Sequence, residues 1–180
     1  AGLLEPRAGS VRVGGRDPWP LDRATVSETV VLTAEDAHVF DTTVLENLRV
    51  ARGDVTPDEA RAALVAAGLG PWLAGLPDGV ETRLSTDATT VSGGERRRLL
   101  LARALLSPAP VLLLDEPAEH LDAAAADALV TDLLETGRGD RGVLLVTHRL
   151  SALGAADEVL VLGHDGDSLA DADAPPATGG

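Results

Sequence analysis

Short, wholly apolar runs alternate in this chain with longer stretches whose apolar residues recur at helical spacing. Val111 to Leu114 is uninterrupted and closes on Asp115, the pattern of a strand buried on both faces of a parallel sheet. Gly142 to Thr147 reads as another buried strand and Glu158 to Leu162 as a third, and Glu28 to Thr33 as a β-rich, buried one. Val11-Arg12-Val13 ahead of Gly14-Gly15 predicts a short strand and a tight turn. Between these runs lie helix signals. Thr56-Pro57-Asp58-Glu59 combines a capping box with proline in the first turn, and Gly68 supplies a stop, which predicts a helix over about 57–67. Ser92-Gly93-Gly94-Glu95 repeats the box and opens a helix to about Leu106, ended by Ser107-Pro108. Asp122 caps a third, from Ala123 to about Thr136, with Gly137 after it. This alternation predicts an α/β fold with a parallel sheet and right-handed crossovers. Residues 41–100, helical and polar-capped, read as an inserted subdomain, and 166–180, rich in Asp, Ala, Pro and Gly, as a disordered tail.

Composition narrows the function. A net charge of −14 argues against a nucleic-acid binder, which carries a basic stripe. Nucleotide sites escape that objection, because backbone N–H groups and Mg²⁺ bind phosphate locally. With no cysteine there is neither a disulfide framework nor a thiol nucleophile. No apolar run approaches the ~20 residues of a membrane-spanning helix. All fifteen basic residues are Arg, so the lysine-bearing phosphate loop G-x-x-x-x-G-K-[ST] is not within these residues. Methionine is absent too, and Ala1 to Glu5 reads as the end of a helix broken before Pro6. The expectation is a C-terminal fragment of a longer protein.

Three constellations carry chemistry. At Ser92-Gly93-Gly94 the glycines allow close approach to backbone N–H groups at a helix N-terminus, where the dipole favours an anion, although the same residues also make an ordinary cap. Asp115-Glu116 closes a strand at its carboxyl end, where ligands sit in open α/β sheets. There Asp115 suits Mg²⁺ and Glu116 suits orienting or deprotonating a water. His148 ends another predicted strand on the same edge and could hydrogen-bond a phosphate oxygen. His38, His120 and His164 share no metal-ligand spacing and read as surface or packing residues, and Arg96-Arg97-Arg98 as solvated or salt-bridging. What links the three is their order: position 92, then 115, then 148, each at a predicted strand end or helix start.

In that order they resemble the nucleotide-binding domain of ABC transporters. Val91 to Glu95 is similar to the signature motif, Val111 to Glu116 to Walker B with its catalytic glutamate, Glu119-His120-Leu121-Asp122 to the D-loop, and Thr147-His148 to the switch histidine. Glu35 stands where the Q-loop glutamine belongs. The resemblance covers residues 1–165. It implies a P-loop NTPase, RecA-like core from residues 1–40 and 101–165, with 41–100 as the helical subdomain. It further implies ATP and Mg²⁺ as ligands, with Asp115 and Glu35 toward the metal and Glu116 and His148 catalytic. Ser92, Gly93, Gly94, Glu95 and Asp122 would be nucleotide-binding residues. A second such domain, arranged head to tail, would be the partner, its ATP clamped by this chain's signature motif. Glu95 replaces the motif's last Gln at a position that the capping box turns from phosphate, and Ser85-Thr86-Asp87-Ala88 lacks the Gly-Glu-Gly that exporters often carry there.

Asp36 to Leu48 is similar to the exporter pattern, which implies that Phe40 and its neighbours receive coupling helices from a membrane domain at the cytoplasmic face of a bacterial inner membrane. The 57 residues from Glu35 to Ser92 leave no room for the coiled-coil insertion of chromosome-maintenance ATPases. More narrowly, Asp36 to Val44 with Glu116 to Asp122 resembles the cysteine/glutathione exporters of cytochrome bd assembly. Two other readings stay open: a soluble ABC-type ATPase, and a non-catalytic domain that completes a partner's site.

Overall fold

The computed structural model describes residues 5–33, 37–84, 91–136 and 141–162. Among the described residues nine α-helices and β-strands follow in order: α1 (Arg23–Thr29), β1 (Val30–Leu32), α2 (Val44–Arg49), α3 (Pro57–Ala66), α4 (Gly70–Ala74), α5 (Gly93–Leu106), β2 (Val111–Asp115), α6 (Ala123–Thr136) and β3 (Gly142–Val146). The three strands form a parallel sheet of order β1-β2-β3. The register sets Val31 and Val143 beside Leu112, and Val146 beside Asp115. β2 is central, which is why its apolar run is uninterrupted: Leu112 and Leu114 are fully buried.

Helices α2, α3 and α5 pack together, and their apolar faces share one core with the sheet. Leu48, Leu64, Leu99, Leu112 and Val130 are all fully buried in it. Each such side chain contributes about 1.5–3 kcal/mol on leaving water. The helix ends follow the capping signals. Thr56 and Glu59 complete a reciprocal capping box at α3, and the N–H of Ala67 closes it onto Ala63 O, with Gly68 at φ +74°. Asn47, fully buried in α2, is satisfied: its amide donates to Phe40 O and Thr43 O and accepts from Phe40 N. At the other end of α5, the Arg141 guanidinium donates to the carbonyls of Leu105, Ser107 and Ala109, a cation on the negative end of a helix.

Four expectations change, the first being the burial of β3: at the rim of the described sheet it leaves Leu144 and Val146 each 56% exposed. Glu28 and Thr29 belong to a helix, because Asp22 Oδ1 accepts from Thr25 N and starts α1 just upstream, so the strand begins at Val30. Val11 to Val13 forms no strand beyond a single bridge from Val13 to Arg16 across the Gly14-Gly15 turn. Among the described residues Glu158 to Leu162 pairs with none of the three strands: 158–161 carry no regular structure, Leu162 makes a single bridge, and Val159, Leu160, Val161 and Leu162 are exposed. An apolar run pairs only where an edge is presented to it, and pairing is non-local. The expected helix end at 1–4, the Gly137 stop, the 85–88 segment, His164 and the 166–180 tail lie outside the described residues. No described helix is long and apolar enough to cross a membrane.

Candidate functional site

The sheet brings Asp115, Glu116 and His148 to one edge, since β2 and β3 run parallel and both end there. Asp115 closes β2 with its side chain exposed, and its backbone N–H points to Thr33 Oγ1 at 3.4 Å. Among the described residues no side chain hydrogen-bonds its carboxylate, which leaves two hard oxygen donors for a cation. This donor set suits Mg²⁺, which takes one or two carboxylates with substrate phosphates. Glu35, the other expected metal ligand, lies outside the described residues.

Glu116 turns sharply off the strand. Its φ of +42° is left-handed, a conformation that costs a non-glycine residue about 1–3 kcal/mol and persists where the surroundings over-determine it. Here its N–H donates to Val146 O at 3.0 Å, extending the ladder by one bond. Its Oε1 accepts from His148 N at 3.0 Å and lies 2.9 Å from His148 Nδ1, while Thr147 Oγ1 reaches Oε2 at 3.4 Å. A carboxylate only accepts, so Nδ1 carries the proton in this contact and Nε2 is on the far side of the ring. The His148 side chain is 73% exposed against 28% for Glu116, so the imidazole is pinned at one nitrogen and open at the other.

Ser92 caps α5. Its Oγ accepts from Glu95 N at 3.3 Å, and Glu95 Oε2 accepts from Ser92 N at 2.7 Å. Glu95 is thus engaged with its own helix terminus, as the capping box predicts. Gly93 and Gly94 need no left-handed conformation, and a Cβ built on Gly93 meets nothing within 4 Å. Neither backbone strain nor internal packing therefore requires glycine at 93. What remains is room for a group from outside the chain. Asp122, by contrast, uses Oδ1 to accept from Ala125 N at 3.0 Å, capping α6.

Two participants were not singled out from sequence. Thr33, just past β1, faces Asp115, and its place at a strand's carboxyl end was the available signal. Arg97, read as solvated or salt-bridging, reaches back from α5 to pair with Glu119, and its Nη1 lies 2.9 Å from His120 Nε2. His120 thus has a specific partner, and its φ is +67°. Thr33, Arg97, Leu100, Leu101, Asp115, Glu116 and Pro117 line a shallow cleft open to solvent. Arg96 donates to Ala37 O at 2.6 Å. Away from this edge, Phe40 is 44% exposed, edge-on to His38 with ring centroids 4.7 Å apart. The Arg103 guanidinium lies 5.9 Å from the Phe40 ring and bonds His38 O and Asn47 O; burial holds its pKa below the usual arginine range.

The sequence model of ABC transporters matches residues 1–119. The chain is 34% identical over 161 residues to the glutathione/L-cysteine transport system ATP-binding/permease protein CydD of Bacillus subtilis, covering 89% of this chain and 28% of that protein. It is 39% identical over 160 residues to the mycobactin import ATP-binding/permease protein IrtB of Mycolicibacterium thermoresistibile, with the same two coverages, 89% and 28%. Among solved structures, a bacterial Atm1-family ABC exporter with ATP bound is similar with a TM-score of 0.71 and 25% identity, over 85% of this chain and 27% of that one. The chain therefore spans 28% of the length of these two curated relatives.

Proposed function

The chain belongs to the ABC transporter family, and from that premise we propose that it is the ATP-binding and ATP-hydrolysing part of an exporter whose nucleotide sites close between two such domains. The observation that carries this is the pinned pair at the sheet edge: Glu116, left-handed just past β2 and bonded to β3, with His148 bonded to its carboxylate through two donors. Glu116 orients the attacking water and takes its proton, exchanging one His148 bond for the water as it does so. His148 Nε2 is open to donate to a γ-phosphate oxygen. Asp115, with Glu35, would hold Mg²⁺, which supplies neutralisation of the phosphate charge. Gly93 and Gly94 present N–H groups, and Ser92 its hydroxyl, to the nucleotide held by the partner domain, and Phe40 is exposed to receive a coupling helix.

The division into a core of 1–40 and 101–165 and a helical subdomain of 41–100 is part of the same reading. We further assign the transported molecule to the thiols, cysteine or glutathione, on the Asp36 to Val44 and Glu116 to Asp122 motifs and the likeness to the Bacillus subtilis protein. The site would then lie at the cytoplasmic face of the bacterial inner membrane. The permease-bearing names of the relatives favour an exporter over a soluble ABC-type ATPase. Retention of Glu116 and His148 in bonded geometry favours a catalyst over a bystander domain. The 180 residues alone should hydrolyse no ATP, because they contain no phosphate-loop lysine. The test is ATP-driven uptake of labelled cysteine or glutathione into inside-out vesicles carrying the intact protein its gene encodes. ATP-dependent accumulation supports the assignment. ATP hydrolysis without uptake of either thiol removes the substrate, and no hydrolysis removes the whole reading.

A further inference from the structure

We propose that Arg97 is a positioning residue that ties the loop 116–120 to the start of α5, so that the general base and the phosphate-facing helix terminus move as one body. The inference rests on the reading of Glu116 as that base. The loop is bracketed by two left-handed non-glycine residues, Glu116 at φ +42° and His120 at φ +67°. Such conformations hold only when contacts from several directions fix them. From one side β3 supplies Val146 O and His148. Within the loop, Glu119 N donates to Glu116 O at 3.1 Å. From the opposite side comes α5: Arg97 pairs with the Glu119 carboxylate and stands 2.9 Å from His120 Nε2.

The chemistry of that last contact is directional. A guanidinium has donors only, so His120 Nε2 accepts and the ring is neutral in this arrangement. One Arg side chain thereby fixes two successive loop residues, the second being left-handed. Arg97 lies four residues beyond Gly93, one helical turn from the signature glycines, and also lines the cleft with Asp115 and Glu116. An isolated exposed ion pair contributes little to stability. This pair, with side chains 30% and 37% exposed, joins two elements 22 residues apart and anchors a strained loop. Its effect belongs to the placing of the Glu116 carboxylate rather than to overall stability.

The test uses the intact protein its gene encodes, in lipid nanodiscs, with Glu116→Gln as the catalytic reference and Arg61→Gln as a control that breaks a remote ion pair with Asp58. Steady-state ATPase kinetics and amide hydrogen exchange of the 116–122 peptide are read together. Arg97→Gln should lower kcat roughly tenfold with KM for ATP within about twofold, because misplacing a reacting group costs turnover rather than binding. The same variant should speed exchange in 116–122, and the exchanged pair Arg97→Glu with Glu119→Arg should recover most of both. Arg61→Gln should change neither. Wild-type kcat and exchange in Arg97→Gln would overturn the inference while leaving the hydrolytic reading intact. Undiminished turnover in Glu116→Gln would remove the base assignment, and this inference with it.

Discussion

The two surfaces assigned to ATP are built by opposite means. The Ser92 turn is self-contained: its cap bonds lie within residues 92–95, and a Cβ at Gly93 would meet open space. The Glu116 loop is tied from outside, through Val146, His148 and Arg97's hold on Glu119, and sits left-handed as a result. A preformed turn with empty space over Gly93 suits a group delivered by another molecule. A carboxylate held from several sides suits chemistry on a ligand that the same domain places. The contrast predicts that changes at 93 alter function with little effect on folding, whereas changes around 116 alter the direction of a catalytic group.

Glu116→Gln should show the largest effect, a fall in kcat of roughly 10²–10⁴ with nucleotide binding retained, read by phosphate release against equilibrium ATP binding. His148→Ala should lower kcat by about 10–10², since it removes both a phosphate donor and the group pinned to Glu116. Equal turnover in that variant would sever the link between strand edge and catalysis. Gly93→Ala sharpens the other half. It should cut turnover about tenfold or more while the melting temperature holds or rises slightly, because alanine suits a helix better and meets no neighbour here. A large drop in melting temperature would show that the turn is packed after all.

The smallest effects concern the capping boxes. Ser92→Ala should cost about 1 kcal/mol of stability by denaturant titration. The α3 box, remote from phosphate, isolates the purely structural contribution of this motif. Backbone and side-chain bonds from Thr56 and Arg52 hold the Glu59 carboxyl down at about 2, against an ordinary 4.5. A pKa depressed in the folded state contributes stability that is complete above about 4.5 and is lost as pH falls toward about 2. Melting curves of wild type and Glu59→Gln should therefore differ at neutral pH and converge only as pH falls to about 2.

Elements whose signals are local were legible in the sequence. The boxes at Thr56 and Ser92 start helices where the spacing places them, and the β2 run is the central buried strand. The order of Ser92, Asp115 and His148 also pointed to the right family. What escaped depends on neighbours distant in sequence. Glu158 to Leu162 has a strand's composition but among the described residues pairs with none of the three strands, and β3 leaves Leu144 and Val146 each 56% exposed. The reach of Arg97 to Glu119 spans 22 residues and follows from how α5 packs, which no spacing rule encodes. Asp22's cap was equally local but passed over, and it shortened β1.

Vanadate trapping of labelled nucleotide on the intact protein reads out Glu116 at its own step, because trapping requires hydrolysis itself. Trapped nucleotide is expected in the wild-type protein and none at this site in Glu116→Gln. Trapping at this site that survives the substitution would contradict the assignment of Glu116 as the general base.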